Sequence, residues 1–166
     1  NVADKFDLES QTFYPEVSSK IVSQFKTGDD LDQTASVKIR KEQAAIRRTL
    51  FHNRPNGTCC ICLEQLPVSF LWASHLKKRS LCSTEEKLDF QNVAAPMCKF
   101  GCDELYEKGY IGVQNGTIVK VKRGCKTSII NTYISKVIGN ECSSWSRDSK
   151  KYFDWHYTWH QSKVMT

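Results

Sequence analysis

Two cysteine pairs constrain the fold of this chain more than any other feature of its sequence. The pairs are Cys59-x-x-Cys62 and Cys98-x-x-x-Cys102, and residues 63–97 lie between them. A zinc ion takes four ligands tetrahedrally, and short Cys-x₂₋₄-Cys spacings supply thiolates two at a time. The sequence therefore predicts a structural zinc site whose ligands are Cys59, Cys62, Cys98 and Cys102.

The predicted zinc ion would hold the two ends of this segment together. A site closed by four thiolates has no open position for water, so the zinc is expected to be structural rather than catalytic. Cysteine can also serve as a small buried hydrophobic side chain, and this alternative needs no metal. The other cysteines are scattered, which favours a reducing compartment over a disulfide framework. They are Cys60, Cys82, Cys125 and Cys142.

Composition and charge narrow the class of protein. The chain has 166 residues, of which 40% are hydrophobic and 25% charged, as in ordinary globular domains. No run approaches the roughly 18 apolar residues of a membrane span, and no signal-peptide pattern opens the chain. With the cysteine usage, these features predict a cytoplasmic, bacterial-type protein with no membrane partner.

The net charge is +6 although residues 1–33 are acidic, so the basic remainder favours a polyanionic partner.

One main domain is expected. Residues 1–33 form an N-terminal arm or the end of a preceding segment, with a short helix at Val17–Phe25, and residues 34–166 form the domain. Apolar periodicity predicts a helix over Ser36–Leu50. Strand patterns, helix starts and turn signals follow, so the predicted fold class is α+β. The further predicted elements are a strand at Phe70–Leu76, a helix at Ser83–Leu88, a loop or strand at Asn92–Met97, a helix at Asp103–Lys108 closed by Gly109, a hairpin of Tyr110–Val113 and Thr117–Val121, and a helix at Ile129–Ile138.

Three residues near the cysteine pairs carry a chemical hypothesis. His75 ends the predicted strand, and a neutral imidazole there could take a proton from a water molecule that attacks phosphorus. Asn92 could orient that imidazole or fix the loop through its amide. Asp103 opens a predicted helix, where its carboxylate could bind Mg²⁺ or Mn²⁺, since such ions prefer hard oxygen ligands. An acid at a helix N-terminus also interacts favourably with the helix dipole, which is the structural explanation for Asp103.

These residues belong to a longer pattern that resembles the HNH nucleases of the ββα-metal group, in the form found in bacterial restriction enzymes. The similarity extends from about Val37 to His160. The segments that carry it are Arg40-Lys41-Glu42-Gln43 with Arg47, Ala73-Ser74-His75-Leu76-Lys77-Lys78-Arg79, Asn92-Val93, Met97-Cys98-Lys99-Phe100-Gly101-Cys102-Asp103, and Tyr152-Phe153-Asp154-Trp155-His156.

The resemblance implies a ββα-metal core with a structural zinc, flanked by helices and a β-hairpin, and the activity of a metal-dependent DNA endonuclease. It implies that His75 is the general base, Asn92 the middle residue of the motif, and Asp103 the ligand of a catalytic Mg²⁺ or Mn²⁺. The sequence departs from the family pattern in two places. An aspartate stands at the third motif position, which is often His or Asn, and Ser74 stands where many relatives carry a metal-binding Asp.

Basic residues near these positions are candidates for contacts with the DNA backbone. A solvated charged surface is the alternative explanation for each group of them. Double-stranded DNA is the expected partner, and cutting both strands with one site per chain favours a homodimer. The candidates are Lys77, Lys78 and Arg79 after the expected general base, Arg40 and Arg47 on the first predicted helix, and Lys120, Lys122 and Arg123 on and after the hairpin.

Two other functions compete with the endonuclease. The segment Cys59-Cys60-Ile61-Cys62 superficially matches a RING finger, but that fold needs a second, interleaved zinc site, and no cysteine lies just before His75. A zinc-stabilised DNA-binding module without cleavage activity is the second alternative. The joint presence of His75, Asn92 and Asp103 argues against it.

Overall fold

The computed structural model describes residues 35–121 and 127–163, with side chains from residue 41 onward. The described part has an α+β fold, as the sequence predicts, with three antiparallel two-stranded sheets and five α-helices. Several predictions lie outside the described residues. They are the arm at residues 1–33 with its helix at Val17–Phe25, the position of Cys125, and the side chains of Arg40, Lys122 and Arg123.

Helix α1 (Ala35–Phe51) confirms the helix predicted over residues 36–50. Ile46 and Phe51 on this helix are buried in the core. The helix ends where His52 and Asn53 adopt positive φ angles of 49° and 57°. This left-handed conformation is typical of the residues that terminate helices.

Strands β1 (Asn56–Thr58) and β2 (Gln65–Pro67) form an antiparallel hairpin that the sequence analysis did not predict. The connection between them contains the first cysteine pair. The amide of Cys59 donates to the carbonyl of Glu64 at 3.0 Å, and the amide of Leu63 donates to the carbonyl of Cys59 at 3.0 Å. Leu63 has a positive φ of 64°. The chain therefore reverses its direction within this short segment.

Strands β3 (Leu71–His75) and β4 (Ala94–Cys98) form the central antiparallel sheet, and helix α3 (Cys102–Glu107) follows β4. In the register of this sheet, His75 lies opposite Ala94. The strand predicted over residues 70–76 is confirmed, and the segment predicted as a loop or strand at residues 92–97 is a strand. Almost every residue of β4 is buried, so this strand lies in the core.

Helix α2 (Thr84–Leu88) lies in the connection between β3 and β4. Ser83 caps its N-terminus, because Ser83 Oγ accepts from the amide of Glu86 at 3.2 Å and the Glu86 carboxylate accepts from the amide of Ser83 at 2.8 Å. This reciprocal pair is a capping box. The predicted cap and helix are confirmed.

Strands β5 (Ile111–Gln114) and β6 (Thr117–Lys120) form the hairpin that the Asn-Gly pair predicts. Asn115 and Gly116 both have positive φ angles, 49° and 86°. A two-residue hairpin turn with both central residues in this conformation matches the right-handed twist of the flanking strands. The hairpin packs against the C-terminal helix described next.

Helix α4 (Ser128–Val137) confirms the helix predicted over residues 129–138, and helix α5 (Lys150–Ser162) carries the aromatic C-terminal segment. Tyr152 on α5 is fully buried. His156 Nε2 bonds the carbonyl oxygen of Tyr106 at 2.8 Å, and burial lowers the pKa of His156 to about 3. His156 therefore has a neutral, structural role. Within residues 35–121 and 127–163, every helix is too short or too polar to span a lipid bilayer.

Gly109→Ala is expected to destabilise the fold. Gly109 has a φ of +69°, and a Cβ atom there would lie 2.2 Å from Nδ1 of His160. The left-handed backbone alone costs an alanine roughly 1–2 kcal/mol, and displacement of the imidazole adds to that cost. Gly139→Ala is the matched control, because Gly139 has a φ of +87° but a Cβ there meets nothing within 4 Å. Urea unfolding measures both variants, and equal losses of stability would contradict the expected clash.

Candidate metal centre and active site

The four cysteines that the sequence predicts as ligands lie together. Their Sγ atoms are all within 4.8 Å of one another, and the Sγ atoms of Cys62 and Cys98 are 4.0 Å apart. Sulfur atoms bonded at about 2.3 Å to one tetrahedral ion stand roughly 3.8 Å apart. The cluster can therefore bind a metal ion, and the predicted grouping is confirmed. Its members are Cys59, Cys62, Cys98 and Cys102.

The local structure favours the thiolate form at two of the four cysteines. Cys98 ends β4 and Cys102 begins α3, with Gly101 at a φ of 145° between them. The amide of Cys98 donates to Cys59 Sγ at 3.3 Å. Hydrogen bonding from Cys102 lowers the pKa of Cys59 to about 7 and lowers the pKa of Cys98 as well. The pKa of Cys102 is raised by its hydrogen bonds to the same neighbours, and that of Cys62 is raised because Cys59 and Cys98 outweigh the lowering by Cys102. Two of the four cysteines therefore favour the thiolate, which is the form that binds metal.

Three further cysteines in the described ranges lie outside the cluster. Cys60 is buried beside it, and its amide donates to the carbonyl of Pro96 at 2.8 Å. Cys82 Sγ contacts the carbonyl of Lys78 at 3.4 Å. Cys142 is also buried. These residues have packing environments of their own, so the metal site has four members.

The end of β3 contains one candidate catalytic residue and contacts another. Ser74 Oγ donates a hydrogen bond to Asp103 Oδ1, which joins β3 to the first turn of α3. Burial raises the pKa of Asp103, and the hydrogen bond from Ser74 opposes that rise. His75 is the next residue along the strand, and its side chain is 12% exposed. The candidate general base is thus the direct neighbour of the residue that contacts the candidate metal ligand.

Ser74 and His75 face different neighbours because successive side chains of a strand point to opposite faces of a sheet. Ser74 faces α3 through Asp103. His75 faces α1, where its Nε2 atom lies 3.6 Å from Oε1 of Glu42. The strand end therefore connects the two helices that pack on either side of it.

Asn92 is placed in the loop before β4. Its Nδ2 donates to Asp89 Oδ1 at 2.7 Å, and Asp89 Oδ2 accepts from the hydroxyl of Tyr152 at 2.7 Å. In the part of the chain that the structure describes, no hydrogen bond joins Asn92 to His75. Of the two contributions considered for Asn92, its contacts correspond to fixing the loop.

Glu42 is a residue of this site that the sequence analysis did not select. It lies on α1 and is only 7% exposed. Its Oε1 accepts from Arg79 Nε at 2.8 Å, and its Oε2 accepts from Arg79 Nη2 at 2.5 Å. The sequence held one signal, since Glu42 precedes the buried Ile46 by one helical turn and so shares its face.

The charge of Glu42 depends on these two partners. Burial by itself raises the pKa of Glu42, but the nearby His75 and the hydrogen-bonded, charged Arg79 outweigh it and lower that pKa to about 2. Glu42 is therefore ionised at neutral pH. Conversely, the hydrogen bond to Glu42 raises the pKa of Arg79 above its already high value.

The candidate DNA-binding residues have different surroundings. Lys77 Nζ binds both carboxylate oxygens of Glu86, at 2.9 and 2.7 Å, and lies 5.6 Å from the ring centre of Trp155. Lys78 is exposed and forms no ion pair within the described ranges. Arg79 is paired with Glu42, as above. Of these three residues, only Lys78 therefore has no carboxylate partner within the described ranges.

Two further candidates lie on helix α1 and the second hairpin. Arg47 donates to the carbonyl of Leu71 at 2.9 Å and to that of Val68 at 3.0 Å, which ties α1 to β3. Its guanidinium also lies 5.0 Å from the ring centre of Phe51. Lys120 is exposed at the end of β6. Arg47 thus has a structural role whatever else it contacts.

The comparisons with known proteins assign no family. No protein-family model matches the sequence, and no curated protein matches it. The function of this chain is therefore inferred from the geometry of the two sites and from the residue pattern that resembles the HNH nucleases.

Metal content tests the cysteine cluster. Elemental analysis of the purified protein is expected to find about one metal ion per chain, because four thiolates close one tetrahedral site. Cys98→Ser should lose the metal and much of the stability of the central segment, since metal binding contributes to folding. Cys82→Ser is the matched control, a cysteine of similar burial outside the cluster. If wild-type protein stripped of metal unfolds as cooperatively as the same protein loaded with metal, the assignment of the cysteine cluster as a structural metal site is contradicted.

The low pKa of Glu42 predicts a pH-dependent contribution to stability. Its folded-state value is about 2 against an ordinary 4.5, and each pKa unit corresponds to about 1.4 kcal/mol. The ionised carboxylate then contributes about 3 kcal/mol at neutral pH, and this contribution is lost as the pH falls through 4.5 towards 2. The stability advantage of wild type over Glu42→Gln should therefore shrink as the pH falls from about 5 through 4.5 to about 3. Urea unfolding measures it, with the exposed Glu64→Gln as control, and a constant difference would contradict the ion pair.

Proposed function

We propose that this chain is a metal-dependent DNA endonuclease of the HNH (ββα-metal) type, which hydrolyses phosphodiester bonds as restriction enzymes do. The observation that supports this best is the junction of β3 with α3, where His75 adjoins the contact between Ser74 and Asp103. Hydrolysis of a phosphodiester needs a general base and a cation site close together. The order β3, β4, α3 is the order that a ββα core requires.

The proposal assigns Zn²⁺ to the four-cysteine cluster. Four sulfur donors at tetrahedral spacing are typical of zinc, whereas magnesium and calcium prefer oxygen. Four thiolates leave no open position on the ion, so its role would be structural. It would hold the turn between β1 and β2 against the end of β4 and the start of α3. Such a thiolate site suits a reducing cytoplasm.

Asp103 would hold the catalytic Mg²⁺ or Mn²⁺. Its carboxylate and the hydroxyl of Ser74 are oxygen donors, which fits the preference of these ions for hard ligands. The ion would supply charge stabilisation at the phosphate and at the leaving 3′ oxygen. His75 would accept the proton of the attacking water. Asn92 would fix the loop before β4 through its hydrogen bond to Asp89.

Double-stranded DNA is the proposed substrate. Phosphate contacts from lysine and arginine supply most of the affinity of proteins for DNA, and the chain carries a net charge of +6. Lys78 is the first candidate for such a contact, because it is exposed directly after Leu76 and Lys77 on the segment that leaves His75. Cutting both strands with one site per chain favours a homodimer.

Plasmid cleavage tests the proposal. Wild type is expected to cut DNA with Mg²⁺ or Mn²⁺ and not with a chelator. His75→Ala should lower the rate by about 10²–10⁴-fold, the usual contribution of a general base, with little loss of DNA binding. Asp103→Asn should also lose cleavage. His52→Ala is the matched control, an exposed histidine at the end of α1, and cleavage by His75→Ala at the wild-type rate would refute the assigned site.

A DNA-binding module without cleavage is the second candidate. The departure from the family pattern at Ser74 favours it, because a neutral hydroxyl replaces a charged ligand beside Asp103. In that case the wild-type protein would bind DNA but cut none of it with either metal ion. Binding and cleavage measured on the same DNA distinguish the two candidates.

A further inference from the structure

A buried carboxylate outside the three expected catalytic residues faces the candidate general base. Glu42 Oε1 lies 3.6 Å from His75 Nε2, and the two side chains are only 10% and 12% exposed. His75 Nε2 is buried and has no hydrogen-bond partner within the described ranges. Buried polar atoms are almost always hydrogen-bonded. Glu42 supplies an acceptor oxygen close to this unpaired ring nitrogen.

We infer that Glu42 is the positioning residue of the proposed active site, holding the ring of His75 with its hydrogen on Nε2 and leaving Nδ1 as the proton acceptor. The catalytic part of this inference rests on the proposed endonuclease function. An ionised carboxylate can only accept hydrogen bonds, so it selects the tautomer that donates from Nε2. His75 Nε2 and Glu42 Oε1 are 3.6 Å apart, and a small side-chain movement brings them to the distance of an N–H···O hydrogen bond, about 3 Å.

Arg79 keeps the carboxylate in place. Its Nε and Nη2 atoms bind the two carboxylate oxygens of Glu42 at 2.8 and 2.5 Å. Two parallel bonds from a planar guanidinium fix the orientation of a carboxylate. The same two bonds, together with the charge of Arg79, also help to keep Glu42 ionised. Glu42 therefore has the charge and the orientation needed to accept from His75 before any substrate arrives.

The other charged groups near His75 are directed elsewhere. Lys77, two residues along the chain, is bound to Glu86. Asp103 contacts Ser74, whose side chain points to the opposite face of β3 from that of His75. Asn92, which the sequence suggested could orient the imidazole or fix the loop, is bonded to Asp89. Glu42 is thus the carboxylate that reaches the imidazole from the helix packed against it.

The tautomer of His75 tests the inference without any need for cleavage. In protein labelled with ¹⁵N-histidine, at about pH 8.5 and so above the ordinary histidine pKa of about 6.5, the shifts of the ring nitrogens show which one carries the hydrogen. His75→Gln assigns the signals. We expect the hydrogen of wild-type His75 on Nε2, and we expect Glu42→Gln to lower the population of that tautomer. Hydrogen on Nδ1 in wild type, a result that needs no variant to fold, would overturn the inference, as would an unchanged tautomer in Glu42→Gln.

Glu86→Gln is the matched control for the tautomer measurement and for the cleavage kinetics described next. It removes the carboxylate partner of Lys77 on the same segment of chain, but that carboxylate binds Lys77 and not His75. We expect the tautomer and, where wild type cuts DNA, kcat to be unchanged in it, while the release of Lys77 can alter only the binding of DNA. An equal effect in the two variants would show a general loss of order and would overturn the positioning role.

Cleavage kinetics separate this inference from the proposed function. Where wild type cuts DNA, Glu42→Gln is expected to lower kcat roughly 10-fold or more, as removal of an outer partner of a functional histidine does, with KM unchanged. A wild-type kcat in Glu42→Gln would overturn the catalytic part. If wild type cuts no DNA while the tautomer depends on Glu42, the endonuclease proposal fails and the positioning of His75 by Glu42 stands.

Discussion

The grouping of four sulfur atoms is the constraint on which the rest of the central structure depends. Two-stranded sheets are marginal by themselves, and β1 and β2 have only three residues each. The cluster joins the turn between these strands to the end of β4 and the start of α3. Asp103 follows Cys102 directly, so the contacts that organise the cluster also fix where that carboxylate lies.

The second organising element is the last pair of residues in β3. Alternation along a strand sends Ser74 towards α3 and His75 towards α1, where Asp103 and Glu42 meet them. Each polar side chain at the strand end thus has a carboxylate from a different helix. Local chain geometry thus separates two chemical environments although Ser74 and His75 are adjacent in sequence.

Much of the fold could be predicted because its signals are local. The capping box of Ser83 and Glu86, the Asn115-Gly116 turn and the cysteine spacings are each contained within a few residues. The hairpin of β1 and β2 was missed because strands of three residues show no periodicity. Its turn depends on backbone hydrogen bonds around Cys59 rather than on a residue pattern.

The candidate site was predictable only in part. His75 and Asp103 could be proposed from their motif, but Glu42 meets Arg79 across 37 positions of sequence. Apart from its spacing from Ile46, nothing local distinguishes Glu42 from the charged residues that surround it on α1. Burial of a carboxylate on a helix face that also carries Ile46 is a tertiary property, and it becomes visible only when the packing of α1 against β3 is known.

The ion pairs that flank His75 have a consequence for how this surface responds to salt. A lysine or arginine that binds a phosphate releases counterions from DNA, and the number released sets how steeply affinity falls as salt rises. Lys77 and Arg79 already have carboxylate partners, so either would have to exchange one anion for another. The basic triplet therefore offers a polyanion about one unpaired positive charge. The affinity for a polyanion bound there would fall less steeply with rising salt concentration than three consecutive basic residues suggest.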